Sequence, residues 1–198
     1  MSARIAVLAS GSGTNLQAIL DHFAALGAAA SGRVALVVSN RAGAGALARA
    51  ERAGIPAVHL AHDDGDTLLA LLAEHGVDVI VLAGYLRLIP ERVVIAYRDR
   101  ILNVHPGPLP EFGGRGMYGR HVHEAVLASG RKDSAVSIHL VDERYDQGPV
   151  LVRWPVPVHP GDTAGSLAAR VLAAEHVVYP RVIDAVCALA ARSGVPEH

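Results

Sequence analysis

Ile5-Ala6-Val7-Leu8-Ala9-Ser10-Gly11-Ser12-Gly13-Thr14-Asn15-Leu16 is the stretch that decides the fold. Four apolar residues run without polar alternation, the pattern of a strand covered on both faces rather than open to water on one. The glycine-rich turn leads straight into residues 15–26, where apolar side chains return at helical spacing. The same unit repeats outward. Apolar, mostly β-branched runs at 34–38, 57–60 and 77–82 read as strands, with 44–53 and 66–75 as the helices between them. Gly54, Gly76 and Gly84 mark the joins. Buried strands alternating with helices predict an α/β fold: an open, mostly parallel twisted sheet with helices on both faces.

Further along, a helix is expected near Pro90, where proline suits a first helical turn. Residues 101–105 read as a strand halted by Pro106-Gly107-Pro108, and 106–118 as a loop. A helix over 122–129 follows, then strands at 134–141 and 150–156 around a polar turn. A long amphipathic helix is expected over 164–191, kinked or broken at Pro180. No internal repeat or low-complexity linker interrupts the chain, so 1–198 reads as a single domain, a length that suits one core.

Composition narrows the function classes. Hydrophobic residues at 51% against 19% charged support a large core and exclude a disordered chain. A net charge of −1, with both signs mixed along the chain, argues against a nucleic-acid partner. The apolar run near the N-terminus is too short for a signal peptide, and no run is long enough to span a bilayer. A single cysteine, Cys187, forms no internal disulfide. A cytoplasmic location without a membrane partner is the expectation.

Three segments carry chemistry. The turn with Gly13, Thr14 and Asn15 offers free N–H groups at a helix N-terminus, a cradle for phosphate, or else merely caps the helix. It lacks the third small residue of a dinucleotide fingerprint and the lysine of a P-loop. Asn103-Val104-His105-Pro106 places an amide and an imidazole on the same face of a strand, at the sheet edge where α/β folds bind ligands. That pair suits oxyanion stabilisation and proton handling in acyl transfer. Asp146, in the polar turn, matters only if the fold carries it to His105, where a carboxylate would favour the charged imidazole. His121 and His123 face apart on a helix and, with no third ligand nearby, predict no metal site.

Together these segments resemble the folate-dependent phosphoribosylglycinamide formyltransferase family over nearly the whole chain. Ser10-Gly11-Ser12-Gly13-Thr14-Asn15-Leu16-Gln17-Ala18-Ile19 looks like its phosphate turn. Val81-Leu82-Ala83-Gly84-Tyr85-Leu86-Arg87-Leu88-Ile89 resembles its folate-loop strand, and Asn103-Val104-His105-Pro106 its catalytic strand. Asp146-Gln147-Gly148-Pro149-Val150 and Ala174-Glu175-His176-Val177-Val178-Tyr179-Pro180 are similar to its aspartate turn and C-terminal segment. The resemblance implies a Rossmann-like formyltransferase fold, 10-formyltetrahydrofolate as co-substrate, and glycinamide ribonucleotide as acceptor. It implies a catalytic trio of Asn103, His105 and Asp146, with His105 protonated beside Asp146. Gly13, Thr14 and Asn15 would hold the substrate phosphate, and Glu175 its ribose. Leu86, Arg87, Leu88, Ile89, Val141 and Asp142 would line the folate cleft. Ser137 and His139, on one face of a strand, would either contact ligand or support His105. A monomer and a homodimer fit equally well.

Three features depart from the family pattern. Residues 106–110 lack the usual Ser/Ala-Leu-Leu, and 112–119 look longer than in many members. A basic residue that some relatives carry has no match at 64–67. Among rivals, a methionyl-tRNA formyltransferase would add a C-terminal nucleic-acid-binding domain and a formyltetrahydrofolate hydrolase an N-terminal regulatory one. The glycinamide enzyme is the expectation.

Overall fold

Alternate side chains of β1 (Ala3–Leu8) enter two different cores. Ile5 and Val7 join a cluster with Leu16, Ile19, Leu47, Val126 and Tyr179, while Ala6 and Leu8 join one with Leu36, Leu68, Leu72, Ile80 and Val93. This two-sided burial is what the unbroken apolar run requires, since each pleat alternates its side chains across the sheet.

The computed structural model describes residues 2–62 and 65–192. After β1 come α1 (Thr14–Leu26), β2 (Gly32–Ser39), α2 (Gly45–Arg52), β3 (Ala57–His59), α3 (Asp66–Glu74), β4 (Val79–Leu82), α4 (Glu91–Ala96) and β5 (Ile101–His105). Then follow α5 (Arg120–Ala128), β6 (Asp133–Leu140), β7 (Val150–Pro157) and α6 (Ala164–Arg192). The strands form one open sheet in the order β3-β2-β1-β4-β5-β6-β7. β1 to β5 are parallel, β6 runs antiparallel to β5, and β7 antiparallel to β6. Helices α1, α2, α5 and α6 cover one face, and α3 and α4 the other. The α/β sheet read from the sequence is therefore the architecture observed.

Most boundaries lie within a residue or two of the sequence reading, and three differences have a local reason. β4 begins at Val79, because the Val77 N–H instead closes α3 by donating to the Leu72 carbonyl at 2.9 Å. Pro90 stands just outside α4 as its cap, with extended backbone. α6 runs unbroken through Pro180. The missing N–H costs one helical hydrogen bond, but Tyr179, Ile183 and Cys187 around it stay fully buried against the sheet and hold the helix in place. Asp64, at which the absent basic residue was sought, lies outside the described residues.

The strand order reverses between β1 and β4. β2 and β3 lie to one side of β1, and β4 and β5 to the other. Loops leaving the C-terminal ends of strands on either side of such a reversal part from one another and leave a crevice. The side chains of interest gather there.

Candidate active site

At this crevice lies a cavity of about 640 Å³, within the range of small-ligand sites. Its walls come from the ends of β4 and β5, the loops after them, the β6–β7 turn, the first turns of α1 and α5, and the N-terminal part of α6 as far as Glu175.

Asn103 and His105 reach this wall from one face of β5, as their two-residue spacing dictates. β6 runs antiparallel beside them and sets His139 opposite Asn103 and Ser137 opposite His105. The β6–β7 turn then brings Asp146 across, its backbone left-handed at φ 55°, a conformation that Asp tolerates better than most residues. Asp146 Oδ2 lies 3.6 Å from His105 Nδ1, and Oδ1 3.5 Å from both Asn103 Nδ2 and His139 Nε2. Asn103, His105 and Asp146, far apart in sequence, thus meet in one cluster.

The hydrogen bonds assign the imidazole tautomers. His105 Nε2 donates to the Phe112 carbonyl at 2.8 Å, so in the neutral ring Nδ1 carries the lone pair that faces Asp146. His139 Nδ1 donates to the Leu140 carbonyl at 2.8 Å, which leaves its Nε2 to accept from Asn103 Nδ2 at 3.0 Å. One amide hydrogen of Asn103 is thereby tied down and the other stays on the cluster side. Ser137 braces the loop after β5: its hydroxyl donates to the Gly107 carbonyl at 2.7 Å and accepts from the Leu109 N–H at 3.2 Å.

Burial decides the charge of this cluster. His105 is 3% exposed, and desolvation lowers its pKa further than Asp146 and the Phe112 carbonyl raise it, with His139 adding a small push downward. Asp146 therefore pulls His105 in the direction the sequence reading expected, against a larger opposing push from desolvation. Burial also pushes Asp146 up, but the cationic forms of His139 and His105 and the Gly114 N–H, which donates at 3.0 Å, together hold it below its ordinary value.

The opposite end of the cavity is built from α1 and α6. Gly13 caps α1 in the left-handed region at φ 74°, and a Cβ there would lie 2.7 Å from Ala46 Cα, so only glycine fits this turn. Asn15 Nδ2 donates to Glu175 Oε2 at 2.6 Å, both residues buried, while Asn15 Oδ1 has no partner. Burial pushes the Glu175 carboxyl up to about 7 against the opposing pull of Asn15. One helical turn on, the fully buried Tyr179 hydroxyl lies 2.9 Å from the Leu82 carbonyl and 3.1 Å from that of Leu102, pinning α6 over the ends of β4 and β5.

The remaining expected residues divide. Leu86, Arg87, Leu88, Ile89 and Val141 line the cavity. Asp142 does not. Its carboxylate accepts the Arg144 N–H at 2.9 Å and closes the turn, an ordinary use of an aspartate there. Of the phosphate turn, Asn15 lines the cavity, whereas Gly13 is packed against α2. His123, set aside with His121 on the sequence, is 4% exposed, lines the cavity, and has a buried Nδ1 without a partner. Burial, then the charge of His105, lowers its pKa. No pattern in the sequence marked it, because only packing buries one of two neighbouring histidines. Among the described residues no group of three or more His, Cys, Asp or Glu could hold a metal. Nor is any helix among them long and apolar enough to cross a membrane.

Residues 3–183 match the family model described as formyl transferase. The chain is 42% identical to the chloroplastic phosphoribosylglycinamide formyltransferase of Vigna unguiculata over 93% of this chain and 61% of the relative, so it spans less than two thirds of that protein. It is 38% identical to the phosphoribosylglycinamide formyltransferase of Escherichia coli (strain K12), over 91% of this chain and 85% of the relative. Among solved structures, glycinamide ribonucleotide transformylase 1 from Symbiobacterium toebii superposes with a TM-score of 0.85 at 41% identity, covering 94% of this chain and 88% of that one.

Proposed function

This chain belongs to the formyl transferase family, and from that premise we propose that it passes the formyl group of 10-formyltetrahydrofolate to the amine of 5'-phosphoribosylglycinamide, a step of purine biosynthesis. The reading takes 1–198 as one formyltransferase domain, monomeric or homodimeric, working in the cytoplasm on small molecules, without a metal, nucleic acid or membrane. The observation that carries it is the convergence of Asn103, His105 and Asp146 on one wall of a cavity whose far end is the α1 N-terminus with Asn15 and Glu175.

Direct attack of the amine on the formyl carbon creates a tetrahedral intermediate with a negative oxygen. The second amide hydrogen of Asn103, which faces Asp146 Oδ1 at 3.5 Å in the resting site, stabilises that oxygen, a contribution of about 2.7–4 kcal/mol for one well-placed donor. Neutral His105 presents a lone pair at Nδ1, and a proton accepted there from the attacking amine becomes the hydrogen bond to Asp146 that the resting protein lacks. The ionised Asp146 stabilises the imidazolium, which then returns the proton to the departing folate nitrogen. Net proton change over the cycle is zero, and no covalent enzyme intermediate is needed. Holding both substrates side by side supplies much of the remaining acceleration.

At the far end, the α1 N-terminus with Gly13, Thr14 and Asn15 receives the phosphate. Glu175, with a pKa near 7, offers a hydroxyl-compatible carboxyl to the ribose. Leu86, Arg87, Leu88, Ile89 and Val141 form the mostly apolar folate wall. The test is the loss of the formyl group from 10-formyltetrahydrofolate with and without the ribonucleotide. Loss that requires the ribonucleotide and vanishes in His105→Ala is expected. Equal loss without it would make the protein a hydrolase.

A further inference from the structure

The loop after β5 touches both members of the proton-handling pair through its main chain. The Phe112 carbonyl accepts His105 Nε2–H at 2.8 Å, and two residues later the Gly114 N–H donates to Asp146 Oδ2 at 3.0 Å. Between them, Gly113 is wedged so tightly that a Cβ would overlap Leu109 Cδ2 and lie 2.9 Å from Asp146 Cβ. The loop itself is anchored at its base, where Ser137 fixes Gly107 and Leu109 and the Phe112 N–H donates to the Pro108 carbonyl at 2.9 Å.

We propose that the main chain of Phe112, Gly113 and Gly114 is the positioning element of the site, a clamp that sets the tautomer of His105 and the aim of Asp146, and that Gly113 is the residue on which it depends. The inference rests on reading His105 and Asp146 as the pair that moves the proton. A carbonyl can only accept, so it forces a hydrogen onto Nε2 and leaves Nδ1 as the basic atom. The Gly114 N–H holds the carboxylate so that the same oxygen, Oδ2, faces Nδ1. A side chain at 113 would drive the loop away from Asp146 and loosen both bonds together.

The titration of His105 follows from its surroundings. It faces Asp146 from the β6–β7 turn, His139 from β6, the Phe112 carbonyl from its own loop, and His123 from α5. Asp146 and the Phe112 carbonyl raise its pKa, and the clamp governs both. Opening the clamp weakens both and also relieves desolvation, the largest influence on the ring, so the midpoint moves from its native value.

The test reads the His105 ring nitrogens by ¹⁵N NMR in the free, full-length protein, alongside steady-state kinetics. The native protein is expected to carry the neutral His105 hydrogen on Nε2. In Gly113→Ala that tautomer is expected to lose its dominance and the midpoint to shift. kcat should drop about 100-fold, the scale of an ångström-sized misplacement, with KM for both substrates nearly unchanged. Gly43→Ala adds the same methyl where nothing lies within 4 Å, and is expected to change none of these readings. A native His105 with its hydrogen on Nδ1, or a Gly113→Ala protein with native tautomer and midpoint, overturns the proposal. If Gly113→Ala does not fold, the native tautomer still decides. A clamp confirmed by NMR in a protein that moves no formyl group would sink the proposed reaction and leave the clamp standing.

Discussion

The two ends of the cavity handle buried charge in opposite ways. At the β5–β6 end, the Asp146 carboxylate is surrounded by His105, His139, the Asn103 amide and the Gly114 N–H, and it is held ionised despite burial. At the α1–α6 end, the Glu175 carboxyl has the Asn15 amide as its hydrogen-bond partner, and burial wins: its pKa rises to about 7. The same functional group, hidden in both places, is charged in one and about half neutral in the other. The difference lies in what surrounds each carboxylate, because desolvation is common to both and only nearby cations and donors offset it. On the proposed reaction, the end that carries a proton in transit keeps its compensating groups in place, and the end that receives a polar ligand leaves some bonding capacity open, as the unpartnered Asn15 Oδ1 does.

The largest test of this contrast is Asp146→Asn. The amide keeps the shape but loses the charge that offsets a proton on His105, so kcat is expected to fall ~10³-fold in single-turnover transfer. A loss below about tenfold would mean that the two ends do not differ as described.

Glu175→Gln probes the other end through stability. The carboxyl rises from an ordinary 4.5 to about 7 on folding, so the folded chain binds this proton more tightly than the unfolded one. Its contribution is therefore fully present below pH 4.5 and is lost as pH rises through about 7. By pH 8 the cost approaches about 3 kcal/mol, since each tenfold change in proton affinity is worth about 1.36 kcal/mol. Glu175→Gln keeps the contact with Asn15 without the charge. Denaturant unfolding is expected to find it more stable than the native chain at pH 8 and similar at pH 4.5. Equal stabilities at pH 8 would show that Glu175 is better compensated than its neighbours indicate.

Tyr179→Phe is the smallest expected effect. It removes the hydroxyl that ties α6, and with it Glu175, to the Leu82 and Leu102 carbonyls. A loss of about 1 kcal/mol in stability is expected. The KM for the ribonucleotide should rise while kcat holds, because the tether serves the α6 end alone. A fall in kcat instead would show that the two ends are mechanically coupled.

Much of this was legible beforehand, and for identifiable reasons. The strand at 101–105 aims Asn103 and His105 at one place because the pleat repeats every two residues, whatever lies beyond it. The run at 5–8 announced a sheet covered on both sides because it has no polar face. What escaped lies in contacts between distant segments. Asp142 and Asp146 stand in one turn with the same side chain, yet one closes the turn on Arg144 and the other reaches His105. His121 is exposed and His123 buried, a difference set by how α5 lies on its neighbours.

By itself, then, the sequence determined the local grammar of this protein: buried parallel strands, the glycine turn before the first helix, and the shared face of Asn103 and His105. Local sterics and periodicity act within a few residues, so they survive in the linear order. Only the tertiary structure brought Asp146 to Asn103 across 43 positions and Glu175 to Asn15 across 160. It alone set the direction in which burial pushes His105 and Glu175, and it placed the Phe112 carbonyl on His105 and the Gly114 N–H on Asp146. Charge in a buried site depends on the balance between lost water and gained partners, and both belong to the folded surroundings rather than to the residue.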